Sequence, residues 1–386
     1  MFVDFVQNGQ GHGPVAEAMV GCRFDSGLLR PYIDNRGQRC VTVNTGRTQI
    51  VQGKIQPVFE KRLVAEMINR GISSPVFNAT SLRKEEWIMI DSVVLKAARQ
   101  RLRAWSDLSA SSTFGGFNGM SKTILEHETM SDPGEAIVDM DGLTEGRTDS
   151  PKFQLEGLPL PITHSDFWFS SRRVAVSRNS GTPLDTTMAE AAGRRVAEMI
   201  EKTLIGVETG ITYGGGASTP TYGRASTVYG YTNFPARTTK TDLTTPTGSN
   251  PEAIMTDVLE MLELMYADNF YGPFILYHST PYSRYLSDDY FRTGGTSAHT
   301  SLANRIKGIE GIQDVRRLDF LTSGYQLILV QMTSDVARAI NGMDITTVQW
   351  ESVGGMRLNF KVMAIQVPQL RADYDGRCGI VHGTTS

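Results

Sequence analysis

Histidines are the first place to look for a metal or a general base, and the chain has six, at 12, 127, 164, 278, 299 and 382. None stands in H-x-x-x-H or H-x-H spacing, so no zinc or iron centre is expected. Cys22, Cys40 and Cys378 are scattered and form no C-x-x-C, which argues against a zinc ribbon or a disulfide framework and suits a reducing compartment. His164-Ser165-Asp166 contains the three residue types of a nucleophilic triad. They are consecutive in a strand-like stretch, where neighbours point to opposite faces and cannot hydrogen-bond in series. His164 is therefore expected at a strand surface or an interface.

Phosphate cradles fare no better. Gly9-Gln10-Gly11-His12-Gly13 has no preceding strand, no following helix and no G-K-[ST], and Gly214-Gly215-Gly216 also lacks the lysine. Between residues 126 and 149 stand Glu126, Glu128, Asp132, Glu135, Asp139, Asp141, Glu145 and Asp149 against Arg147, a local charge of −7. The stretch lacks the D-x-[DN]-x-[DN]-G run of a calcium loop and reads as charged surface that needs a cationic dock. Arg99, Arg101 and Arg103, or Arg194 and Arg195, on this chain or another copy, are the candidates. No catalytic constellation is found: no catalytic, cofactor-binding or metal-ligating residue is expected, no cofactor, and no enzyme.

Composition sets the frame for these residues. The chain has 386 residues, 40% apolar and 20% charged, with 38 Lys plus Arg against 41 Asp plus Glu. That is globular rather than disordered composition, and the net charge of −3 gives no hint of a duplex-binding face. Apolar runs such as Leu327–Val330 are far short of the ~20 residues that span a bilayer. Met1–Gln7 lacks a basic, then apolar, leader pattern, so a soluble intracellular protein is expected.

The elements follow from periodicity. Residues 1–80 are punctuated by glycines, with no sustained helical period and no strand expected beyond about five residues. They read as an extended arm lying on something else, with a small irregular β subdomain as the alternative. Residues 81–108 read as one helix, begun at Ser81, with Trp87, Ile90, Val94, Ala97, Ala98, Leu102 and Trp105 as its stripe. Residues 109–170 read as a long excursion returning through strands at 152–155 and 162–169, an extended hairpin. Thr187 and Glu190 predict a capping box opening a helix to Ile205, stopped by Gly206, with Met188, Ala192, Val196, Met199, Ile200 and Leu204 buried. Residues 209–250 read as loop, and Asn250-Pro251 opens a third helix with Ile254, Val258, Met261, Leu262 and Met265 inward. Strands are expected at 274–278, 315–318 and 325–332, short helices near 281 and over 301–307, and a helical turn over 335–340. A hairpin closes the chain around Gly354-Gly355. The order makes an α+β protein.

From Leu82 onward the chain resembles the encapsulin-related branch of tailed-phage major capsid proteins of the Hong Kong 97-like fold. The 82–108 helix with Trp87 and Asp91 is similar to the first helix of encapsulins. Leu158-Pro159-Leu160-Pro161-Ile162 resembles the return strand of that family's projecting loop. Leu184–Gly206 resembles its spine helix. Gly230-Tyr231-Thr232-Asn233-Phe234-Pro235 resembles the G-x-x-N-x-P turn that follows the helix in phage coat proteins. The resemblance implies an extended N-terminal arm (1–80), an N-terminal helix (81–108) and a projecting β-hairpin, or E-loop (109–170). It also implies a peripheral domain with the long spine helix (171–250), an apical domain (251–342), and strands closing the peripheral domain (343–386).

What the resemblance implies about function is a shell subunit. Such a major capsid protein self-assembles into hexamers and pentamers of an icosahedral head that encloses double-stranded DNA without sequence-specific binding. Its implied partners are its own copies, with portal, scaffolding and decoration proteins; its implied place is the virion capsid, assembled in the host cytoplasm and not in a membrane. The alternative is an encapsulin-type nanocompartment shell protein, and a third reading is a soluble enzyme. Encapsulins lack 80 residues ahead of the first helix, which favours the virus coat. Lys122 and Lys152 lie on or near the hairpin, but they read as surface lysines rather than cross-linking ones.

Overall fold

Phe274–Tyr277 and Leu327–Val330 are apolar at every position, as suits strands buried on both faces. In the computed structural model, Phe274–His278 and Gln326–Gln331 lie side by side within a five-stranded sheet. The structure describes residues 30–33, 39–51, 54–63, 84–99, 102–130, 140–141, 150, 153–180, 186–207, 211–213, 226–247, 250–288, 300–352, 356–373 and 375–385.

In chain order the strands are β1 (Arg30–Ile33), β2 (Arg39–Val51), β3 (Lys54–Leu63), β4 (Thr113–Phe114), β5 (Ile124–Met130), β6 (Phe153–Pro159), β7 (Thr163–Ser170), β8 (Ile211–Tyr213), β9 (Ser226–Val228), β10 (Thr238–Lys240), β11 (Phe274–His278), β12 (Ile312–Arg317), β13 (Gln326–Gln331), β14 (Ala337–Ser352), β15 (Arg357–Leu370) and β16 (Ile380–Thr384). The helices are α1 (Lys84–Arg99), α2 (Ala104–Ser111), α3 (Ser171–Ser180), α4 (Thr187–Ile205), α5 (Pro251–Ala267), α6 (Ser283–Ser287) and α7 (Leu302–Lys307).

The five-stranded sheet runs β10-β16-β13-β11-β12. Alternation along its strands serves two cores at once. Phe274, Leu276, Leu327, Leu329 and Val381 pack beneath α5 with Ile254, Val258, Met261, Leu262 and Met265, as the sequence predicts. Ile275, Tyr277, Ile328, Val330 and Ile380 join the core that contains α4. A second sheet, β4-β14-β15-β7, presents Phe167, Phe169, Leu358, Phe360 and Val362 to that same core. The Phe167 and Phe360 rings stack there with centroids 5.1 Å apart. The opposite face of the second sheet holds Met363, Ile365 and Val367 against Leu158 and Leu160 at the foot of the β5–β6 hairpin.

Several sequence expectations are corrected. The helix expected over 81–108 is two helices, α1 and α2. The turn expected over 335–340 becomes strand from Ala337. Ala337 pairs with Leu370 and the Ala339 N–H donates to the Ser112 carbonyl at 2.8 Å, so sheet pairing overrides the helical leaning of Ala and Arg. β14 runs from Ala337 to Ser352, and β16 lies between β10 and β13 of the five-stranded sheet. In the segment read as an arm, β2 and β3 are 13 and 10 residues long, and β2 pairs antiparallel with β1 on one side and β3 on the other. Residues 209–250, read as loop, contain β8, β9 and β10.

The long helix α4 ends where Gly206 takes φ +89°, the left-handed cap that favours glycine. Its N-cap is Thr186 rather than Thr187, and Thr186 makes no side-chain capping hydrogen bond. Ala192, Val196, Ile200 and Leu204 are buried as expected, but Met188 and Met199 are 52% and 41% exposed. The buried stripe is instead Ala189, Ala192, Gly193, Val196, Ala197, Ile200, Glu201, Leu204 and Ile205.

Candidate functional site

The triad-like trio separates as strand geometry requires. His164 and Asp166 share the exposed face of β7, with His164 Nδ1 3.3 Å from Asp166 Oδ1. Ser165 lies between them on the strand, opposite Val362 of β15. Lys361 Nζ reaches Asp166 at 3.6 Å, and the Arg357 guanidinium lies 4.5 Å from the Trp168 ring centre. This surface is fit for contact rather than for nucleophilic chemistry. Among the described residues no group of three His, Cys, Asp or Glu side chains is placed to hold a metal ion. Nor is any described helix long and apolar enough to cross a membrane.

The hairpin has a defined foot. β5 and β6 pair antiparallel from Ile124↔Pro159 to Met130↔Phe153, and His127 Nε2 sits 3.3 Å from Glu156 Oε2. Burial lowers the proton affinity of His127. Glu126, Glu128 and Asp141 of the acidic run are exposed, whereas Asp132, Glu135, Asp139, Glu145 and Asp149 lie outside the described residues. Of the basic docks, Arg103 is exposed and 3.8 Å from Asp319, and Arg194 is 3.9 Å from Glu198 one helical turn on. Arg195 is exposed, Arg101 is outside the described residues, and so is the side chain of Arg99.

The turn that resembles G-x-x-N-x-P has a clear local task. The Tyr231 and Thr232 N–H groups donate to the Leu204 and Ile205 carbonyls, both at 2.9 Å, satisfying the open end of α4. The Asn233 side-chain oxygen accepts from the Gly230 N–H at 2.6 Å, folding the turn on itself. A Cβ at Gly230 would sit 2.4 Å from the Thr203 oxygen and the Gly206 nitrogen, so only glycine allows this approach.

Sequence reasoning missed the most unusual charged group. Glu201 is 2% exposed on the buried stripe of α4. Its carboxylate accepts from the main-chain N–H of Ala104 at 2.7 Å and of Trp105 at 3.1 Å, capping α2 from another helix. Burial raises its carboxyl to about 7 against the downward pull of these bonds, with a smaller upward push from Asp107. Asp107 itself accepts from the Tyr277 hydroxyl at 3.0 Å and from Arg316. Burial outweighs those partners and leaves its proton affinity raised. The available signal was position: residue 201 stands four from both Ala197 and Ile205, inside the apolar stripe, where a solvated acid does not belong.

Comparison with solved structures gives the fold. The virus-like particle from Pyrococcus furiosus matches with a TM-score of 0.50 at 15% identity, over 78% of this chain and 98% of that one. The capsid of Myoviridae phage XM1 matches at 0.49 and 11% identity, over 72% and 90%. The capsid of a native GTA particle matches at 0.48 and 10%, over 81% and 92%. The expected resemblance is thus borne out at the level of fold: this mixed α+β chain matches the fold of the virus-like particle's chain. Comparison with curated proteins gives no match. A model described as a family of unknown function (DUF6260) matches residues 78–383, most of the chain, and the chain belongs to that family.

Proposed function

We propose that this chain is a shell subunit, the major capsid protein of a tailed double-stranded DNA phage, which assembles into hexamers and pentamers of an icosahedral head and catalyses nothing. The observation that carries the reading is the fold match to a virus-like particle across 98% of that particle's chain. The sequence adds two supports for a virus coat: a long segment ahead of α1, containing the β1–β3 sheet, and a hairpin whose run carries a charge of −7. In this reading both reach across to neighbouring copies, and small exposed ion pairs, each about 0.2–1 kcal/mol, add up over every contact of a closed shell. Portal, scaffolding and decoration proteins complete the head, and assembly takes place in the host cytoplasm. The second reading is a compartment shell of encapsulin type, favoured by the same fold match.

Negative-stain microscopy of the purified protein tests the proposal, followed by analysis of particle contents from cells. Closed particles holding DNA support the phage coat, and particles holding an enzyme cargo support the compartment. A monomer or dimer that forms no particle under any assembly condition overturns both. Deleting residues 1–60 is expected to leave a soluble, folded core that no longer closes into shells.

A further inference from the structure

Three groups meet where α4, α2 and the five-stranded sheet join. Glu201 is buried on α4 and bound to the first N–H groups of α2. Tyr231, from the turn closing α4, is 0% exposed, and its hydroxyl has no hydrogen-bond partner among the described residues. The Asp107 carboxylate, on the first turn of α2, is held by Tyr277 of β11 and Arg316 of β12. The Tyr231 and Tyr277 rings stack with centroids 6.0 Å apart. The charged side chain acting on Glu201 is Asp107, whose partner Arg316 is shared with Asp314. Lys202, the next residue, points instead over the Phe320 ring.

We propose that Glu201 is a proton-operated clasp: when neutral it holds the start of α2 on α4, and on losing its proton it favours an arrangement in which α2 loosens and the carboxylate reaches water. The physical cause is the asymmetry of the two arrangements. In the closed one the carboxylate is 2% exposed and feels the acid Asp107, with main-chain N–H groups to offset the loss of water. In the open one it is an ordinary solvated acid. A group that binds its proton near pH 7 when closed and near 4.5 when open makes opening about tenfold easier between pH 6 and 8. The clasp is a property of the subunit and does not rest on the shell reading.

A global unfolding curve is a poor detector, because His382 and His278, both buried and lowered in proton affinity, respond to pH in the opposite sense. The test is hydrogen–deuterium exchange of the full chain, read at a peptide covering residues 102–111 and corrected for the intrinsic pH dependence of amide exchange. The wild type is expected to lose about tenfold in protection from pH 6 to pH 8, while Glu201→Gln shows a flat profile. A flat wild type, or a Gln variant with the wild-type slope, overturns the proposal. If the variant does not fold, difference infrared spectroscopy of the wild type decides. A protonated carboxyl band present at pH 6 and gone at pH 8 supports the clasp, and no such band at pH 6 refutes it.

Discussion

Replacing Gly230 by Ala isolates the turn that closes α4. The added methyl would stand 2.4 Å from two main-chain atoms, the Thr203 oxygen and the Gly206 nitrogen, 0.6 Å short of the 3.0 Å that real Cβ contacts respect. Neither atom belongs to a flexible side chain, so the turn itself must retreat. A retreat of that size takes the two 2.9 Å bonds from Tyr231 and Thr232 to about 3.5 Å, the limit of a hydrogen bond. Each is worth about 0.5–1.5 kcal/mol net, and Tyr231 has to shift within a filled core. The expected loss is about 2–4 kcal/mol, read from urea unfolding of the purified subunit. Gly324→Ala is the control: its φ is +63° and open space surrounds it, so it should cost only the backbone penalty, about 1–2 kcal/mol. A Gly230→Ala protein within 0.5 kcal/mol of wild type would refute the packing argument.

Val196→Asp places an unpaired charge at a 1% exposed site of α4 and is expected to cost several kcal/mol and give insoluble protein. Met188→Ser and Met199→Ser, on the exposed side of the same helix, should each stay within about 0.5 kcal/mol of wild type by melting. Burial lowers His382 to about 4, so the unfolded chain binds more protons than the folded one between that pH and 6.5, and stability falls as pH falls through this window. His382→Gln should keep a bond to Gln326, whose Oε1 accepts from His382 Nε2 at 3.0 Å, and flatten the acid limb in pH-dependent unfolding. Replacing Glu135, Asp139, Asp141 and Glu145 with Ser should leave the subunit's melting temperature nearly unchanged but weaken assembly and its salt dependence. Normal assembly of that variant at every salt concentration would reduce the acidic run to solvated surface.

What could be read from the chain depended on whether local pattern and burial agree. They agree in α5, where Pro251 opens the helix and Ile254, Val258, Met261, Leu262 and Met265 all turn inward, and in β11 and β13, whose unbroken apolar runs have two cores to fill. They disagree in α4. Counting apolar residues there chose Met188 and Met199, yet the contact face is lined by Ala189, Gly193 and Ala197, small residues that let α1 approach. Hydrophobicity ranks methionine above alanine, and close helix packing reverses the order. Glu201 was invisible for a related reason: its partners are main-chain N–H groups almost a hundred residues away, which leave no signature beside it in sequence. The candidate site follows the same division. Sequence spacing was enough to dismiss a triad at His164-Ser165-Asp166, because alternation along a strand is local. The cluster joining α4, α2 and β11 required the tertiary fold, because each of its acids is ordinary until burial removes the water around it.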